Sequence, residues 1–216
     1  MRAMHILFDL DGTLIDSAPS ILSGFARVLD KHGIKPRCEL SQALIGPPLL
    51  EALRRISGID DPQTLQGLAH DFKCYYDEVG YRETLEYPGC ADLLNDLAAD
   101  GAHLYIATNK RITPTRKIIE FLGWTDLFKG LYSQDAFDPV LNSKSRVIAR
   151  ILELYGFAKE TAVYVGDREE DREAATSCGL RFLGALWGYG NWNETLRNKT
   201  VIQYPSEIKM FVMPCL

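Results

Sequence analysis

Three short apolar runs stand out along the chain: "HILF" at 5–8, "HLYIAT" at 103–108 and "AVYVGD" at 162–167. Each is rich in branched or aromatic residues and ends beside a polar one. Continuous apolar runs of this length predict strands buried on both faces. Between them the period lengthens. Ile21, Leu22, Phe25, Val28 and Leu29 fall on one helical face, with Asp16 or Ser17 as cap and Gly33 as stop, and residues 90–101, 113–123 and 143–156 repeat the pattern. Strands alternating with helices predict an α/β fold, a doubly wound, Rossmann-like parallel sheet covered on both faces.

One segment breaks the alternation. Residues 16–87 carry helical periodicity without a strand, interrupted at "IGPP", "SGIDDP" and "EVGYRETLEYPG". The stretch is too long for a crossover and too regular for a loop. It predicts a small helical cap domain inserted after the first strand, with the core domain built from residues 1–15 and 88–216.

Composition narrows the chemistry. The 216 residues are 46% hydrophobic and 25% charged, with a net charge of -5. That balance speaks against a nucleic-acid or anionic-membrane surface, which Lys and Arg would dominate. The first residues hold too short an apolar run for a signal peptide, and no run approaches a membrane span, so a cytoplasmic location and a small-molecule partner are expected. Cys38, Cys74, Cys90, Cys178 and Cys215 are odd in number and form no CxxC pair, which predicts reduced thiols. His5, His32, His70 and His103 have no metal-ligand spacing.

The first run leads directly into "FDLDGTLIDS" at 8–17. Side chains alternate along a strand, so Asp9 and Asp11 leave the backbone on one side, and two close carboxylates stay ionised together only beside a cation. Asp167 and Asp171 follow the third run in "GDREED", and hard oxygen ligands from two strand ends suit Mg²⁺. Thr108, at the end of the second run, offers a hydroxyl and neighbouring amides to a phosphate, and Lys144 adds a point charge. Each signal has a plainer reading: an Asp-Gly turn, a strand-end hydroxyl, a solvated helix lysine, acids at a helix N-terminus. Lys110 and Arg111 read as surface cations. The order and spacing of the four segments favour the chemical reading.

With these motifs the chain resembles the haloacid dehalogenase superfamily, in its phosphoglycolate-phosphatase-like branch. "FDLDGTLIDS", the Thr of "IATNK", Lys144 and "GDREED" match the four family motifs, and "IGPPLLEAL", "YYDEVGYRETLEYPG" and "WGYG" look like this branch. The resemblance implies that Asp9 is the nucleophile and Asp11 the general acid and then base. It implies Mg²⁺ held by the Asp9 carboxylate, the Asp11 carbonyl and Asp167, with Asp171 in support, and a phosphoryl group held by Thr108, Asn109 and Lys144. The implied activity is hydrolysis of a small phosphorylated metabolite of phosphoglycolate type, by a monomer or homodimer. A 5′-nucleotide or pyrophosphate substrate and a β-phosphoglucomutase-like mutase are the alternatives, and the complete motif set argues against a non-catalytic binding protein. Gly46, Pro47, Pro48, Arg54, Arg55 and Arg82 of the cap are candidates for reading the substrate, at most one of the adjacent Arg54 and Arg55 pointing inward. Arg168 is expected to pair with Glu169, Glu170 or Asp171.

Overall fold

The computed structural model describes residues 3–192 and 200–212, so Cys215 lies outside the described residues. The chain divides into two compact units, Met1–Asp16 with Glu86–Leu216, and Ser17–Leu85.

The first unit is built on a six-stranded parallel sheet. Its strands are β1 (His5–Phe8), β4 (His103–Thr108), β5 (Phe128–Ser133), β6 (Ala162–Gly166), β7 (Arg181–Ala185) and β8 (Val201–Ile202), in the order β5-β4-β1-β6-β7-β8. The three apolar runs are the three central strands, β4, β1 and β6, which explains why they lack the alternation of a half-exposed strand. His5 is in register with both His103 and Ala162. The strand order reverses beside β1, where open α/β sheets leave a crevice beyond the carboxyl ends of their strands. Helices α4 (Cys90–Ala99), α5 (Ile112–Phe121), α6 (Lys144–Tyr155) and α7 (Glu169–Ser177) connect these strands. Leu7, Tyr105, Tyr164, Val147, Ile148 and Ile151 pack in one cluster, joining α6 to the sheet. Each such side chain contributes on the order of 1.5–3 kcal/mol when fully buried. The buried Tyr164 hydroxyl is satisfied by donating to the Ala107 carbonyl at 2.6 Å.

The sequence pattern missed three strands, β5, β7 and β8. In "FKGLYS" of β5 most residues are half-buried, Lys129 is exposed, and Gly130 interrupts the apolar run. Strand β7, "RFLGA", begins on an exposed arginine, and β8 is two residues long.

The second unit is helical: α1 (Ala18–Lys31), α2 (Leu49–Ser57) and α3 (Pro62–Glu78) enclose a separate core of Phe25, Leu29, Leu53, Ile56, Leu68 and Phe72. Gly24 lets Phe72 approach the α1 backbone, since a Cβ there would come within 2.8 Å of the ring. Ser20, buried in α1, meets the Tyr76 hydroxyl at 3.1 Å and Thr84 at 3.3 Å. Two short strands, β2 (Ile15–Asp16) and β3 (Leu85–Glu86), pair where the chain passes between units. The reading of 16–87 as strand-free did not anticipate that pair. No described helix is long and apolar enough to cross a membrane.

Candidate active site

Three neighbouring strands deliver the site. Asp9 follows β1 and keeps the ladder going by donating its amide to the Val165 carbonyl at 2.9 Å. Thr108 closes β4, and Asp167 follows the last residue of β6. Two helices complete it: Lys144 opens α6 after its Ser143 cap, and Asp171 lies in the first turn of α7.

One carboxylate oxygen from each of Asp9, Asp167 and Asp171 lies within 4.8 Å of the other two, and all three residues are buried. Lys144 Nζ is 3.0 Å from Asp9 Oδ1 and also bonds Asp171 Oδ1. The other Asp171 oxygen accepts the backbone amides of Asp167 at 3.2 Å and Arg168 at 3.1 Å. Asp171 is thus engaged on both oxygens. By contrast Asp167 Oδ1 is buried without a hydrogen-bond partner, and Asp9 Oδ1 makes no directed hydrogen bond despite the nearby ammonium.

Burial pushes the Asp167 carboxyl up to about 7, with Asp9 and Asp171 adding to the effect. Burial likewise raises Asp9 to about 6, although Lys144 and the Thr108 hydroxyl pull the other way. Burial opposes the Lys144 ammonium too, but the negative charges of Asp171 and Asp9 outweigh it and hold that pKa well above its ordinary value. One carboxylate oxygen from each of Asp9, Asp167 and Asp171, with the Asp167 oxygen left unpartnered, is a set that could hold a hard divalent cation.

The loop after β7 closes over this cluster. The Tyr189 amide donates to Asp167 Oδ2 at 2.7 Å, its hydroxyl to Asp16 Oδ1 at 2.8 Å, and Trp187 Nε1 to the Thr13 carbonyl at 2.9 Å. Two glycines make the approach possible. Gly12 has φ +84°, and a Cβ there would overlap the Asp167 carboxylate; one on Gly190 would overlap the Asp167 backbone. In the sequence "WGYG" marked only a likeness; its contacts give it a structural reason.

Lys110 departs from its reading as a surface cation. Its side chain is 7% exposed, and its ammonium bonds both Asp11 oxygens, at 2.9 and 3.3 Å. A lone lysine after a strand, as in "TNK", has no periodicity to mark it. Asn109 is exposed and accepts from Gln134 Nε2 at 3.0 Å; with Lys144 it lines a shallow pocket that also contains Glu170. Arg168 stacks on the Tyr189 ring at 6.0 Å, while Glu169 is engaged by Arg172.

The cap candidates belong to the second unit. Arg54 pairs with Asp60 at 3.3 Å, Arg82 bonds its neighbour Tyr81 at 3.1 Å, and Gly46, Pro48 and Arg55 are exposed, with Pro47 half-buried. The four described cysteines are free thiols.

A 5′-nucleotidase of Pseudomonas aeruginosa is 30% identical over 90% of this chain and 87% of its own length. A phosphoglycolate phosphatase of Xylella fastidiosa is 29% identical over 93% of this chain and 89% of its own. The solved structure of a haloacid dehalogenase-like hydrolase from Streptococcus pneumoniae superposes with a TM-score of 0.84 at 26% identity, covering 98% of this chain and 99% of that one. The family described as haloacid dehalogenase-like hydrolase matches residues 6–185, a span that takes in every strand end of the site, and the chain belongs to that family.

Proposed function

We propose that the protein is a Mg²⁺-dependent phosphatase that hydrolyses a small phosphate monoester through an aspartyl-phosphate intermediate, with a phosphoglycolate-type substrate. The observation that carries the reading is the buried Asp9–Asp167–Asp171 cluster with its orphaned Asp167 oxygen, facing Lys144. Asp9, Asp167 and the Asp11 carbonyl would hold the ion. Bound there, Mg²⁺ would neutralise charge on the phosphoryl oxygens.

The chain's own residues do the rest. Asp9 attacks phosphorus, which splits one difficult displacement into two easier ones. Asp11 gives a proton to the leaving oxygen and later takes one from water. Lys144 orients Asp9 and, with Thr108 and Asn109, receives the phosphoryl group, whose transfer depends on position and charge. Asp171, held by two amides, fixes Lys144. Gly46, Pro47, Arg54, Arg55 and Arg82, in the proposed cap of residues 16–87, are candidates for reading the leaving group.

The names of the two relatives give the competing substrates. Turnover of a panel containing phosphoglycolate, 5′-nucleotides, pyrophosphate and sugar phosphates, with and without Mg²⁺, tests the proposal. Metal-dependent phosphate release that is lost in Asp9→Asn supports it; release that survives that substitution sinks it. Preference for a 5′-nucleotide would move the substrate assignment and leave the reaction unchanged.

A further inference from the structure

Lys110 carries more order than a surface lysine needs. Its neighbour Asn109 is exposed, yet the Lys110 side chain is 7% exposed and its ammonium sits between the two oxygens of Asp11. Removing an ammonium from water is costly unless a partner compensates for it, and here the partner is Asp11. The loop that carries Lys110 is pinned on both sides. The Lys110 amide donates to Thr108 Oγ1 at 3.2 Å, and the Ile112 amide donates to Asp135 Oδ1 at 2.9 Å, an oxygen that also accepts from Ser133 at 2.6 Å. The other buried lysine is already committed, because Lys144 bonds Asp171 and forms an ion pair with Asp9. Each carboxylate of the "DLD" pair therefore has its own cation.

We infer that Lys110 is a positioning residue for proton transfer: it fixes the Asp11 carboxyl group where the leaving oxygen departs and the hydrolytic water arrives. The inference rests on the acid–base role proposed for Asp11. In the first half-reaction an Asp9 oxygen bonds to phosphorus while the ester P–O bond breaks. The electron pair passes to the leaving oxygen, which takes the Asp11 proton. In the second half, water attacks phosphorus and yields a proton to Asp11, and the Asp9–phosphorus bond breaks with its electrons returning to the carboxylate. Lys110 keeps its proton throughout. Its task is geometric, since general acid–base catalysis requires the donor within hydrogen-bond reach of the oxygen it serves. With side-chain carbons and a single pinned loop behind it, the ammonium removes rotational freedom from Asp11 before substrate binds.

The leaving group supplies the test. p-Nitrophenolate departs without help from an acid, whereas an alkoxide needs one. Lys110→Met should slow turnover of an alkyl phosphate such as glycerol 2-phosphate about tenfold to a hundredfold more than that of p-nitrophenyl phosphate. KM should move little and Lys110→Arg should recover part of the loss. Equal losses on both esters, no loss, or a loss confined to KM would overturn the inference while wild-type turnover still upheld the phosphatase reading. A second measurement is independent of activity: thermal midpoints of Lys110→Met, Asp11→Asn and the double variant. The double variant should lose less than the sum of the singles, and additive shifts would overturn the pairing even if no substrate is turned over.

Discussion

Lys144 Nζ lies 3.0 Å from Asp9 Oδ1, and both side chains are only 8% exposed. Such a pair is costly to break from one side, because the surviving charge stays buried. Lys144→Met should destabilise the protein by about 3–5 kcal/mol in urea unfolding, and should lower turnover at least about a hundredfold by withdrawing charge from the proposed phosphoryl site.

The two high carboxyl pKa values make stability without metal depend on pH. Asp167 at about 7 and Asp9 at about 6 both lie above their ordinary 3.8. The folded state then binds more protons than the unfolded chain between roughly pH 4 and 7, so stability falls as pH rises through that window. Asp167→Asn removes the larger contribution. In EDTA its stability relative to wild type should rise by on the order of 2 kcal/mol from pH 5 to pH 8. Saturating Mg²⁺ should restore wild type at pH 8 and leave the variant unchanged, as read from urea midpoints.

Tyr189 holds Asp167 with its backbone and Asp16 with its ring, so two substitutions separate the tasks. Tyr189→Phe should cost about 1 kcal/mol and leave Mg²⁺ affinity intact, because the amide remains. Gly190→Ala forces the loop off the Asp167 backbone and should weaken Mg²⁺ binding about tenfold by calorimetric titration.

The Ser143 hydroxyl accepts the Arg146 amide at the start of α6. Ser143→Ala should lower stability by about 1 kcal/mol, Ser143→Asp should restore it, and turnover should change little because Asp9 and Asp171 still hold Lys144.

What the sequence displayed follows from what burial forces on it. The strands β4, β1 and β6 had to be apolar throughout, and carboxylates at their ends stand out against that background. Strands β5 and β8 pack at the sheet margins, where burial is incomplete and Lys129 or a two-residue length is tolerated; their signal fades accordingly. Lys110 was illegible for a related reason. Its value depends on Asp11, ninety-nine positions earlier, and nothing in its own neighbourhood records the pairing. Tyr189 is similar: its amide, a group every residue but proline owns, makes the contact to Asp167.

The central place of β1 also dictates a timetable. His5–Phe8 precede both flanking partners in the chain, residues 103–106 and 162–165. During synthesis the chain must emerge through residue 165 before both sides of this strand can be covered, so Asp9 waits for its surroundings until then. Pairings of such long span slow the search for the native state. Residues 17–85 form their own compact unit, which requires none of those late partners, and can condense meanwhile.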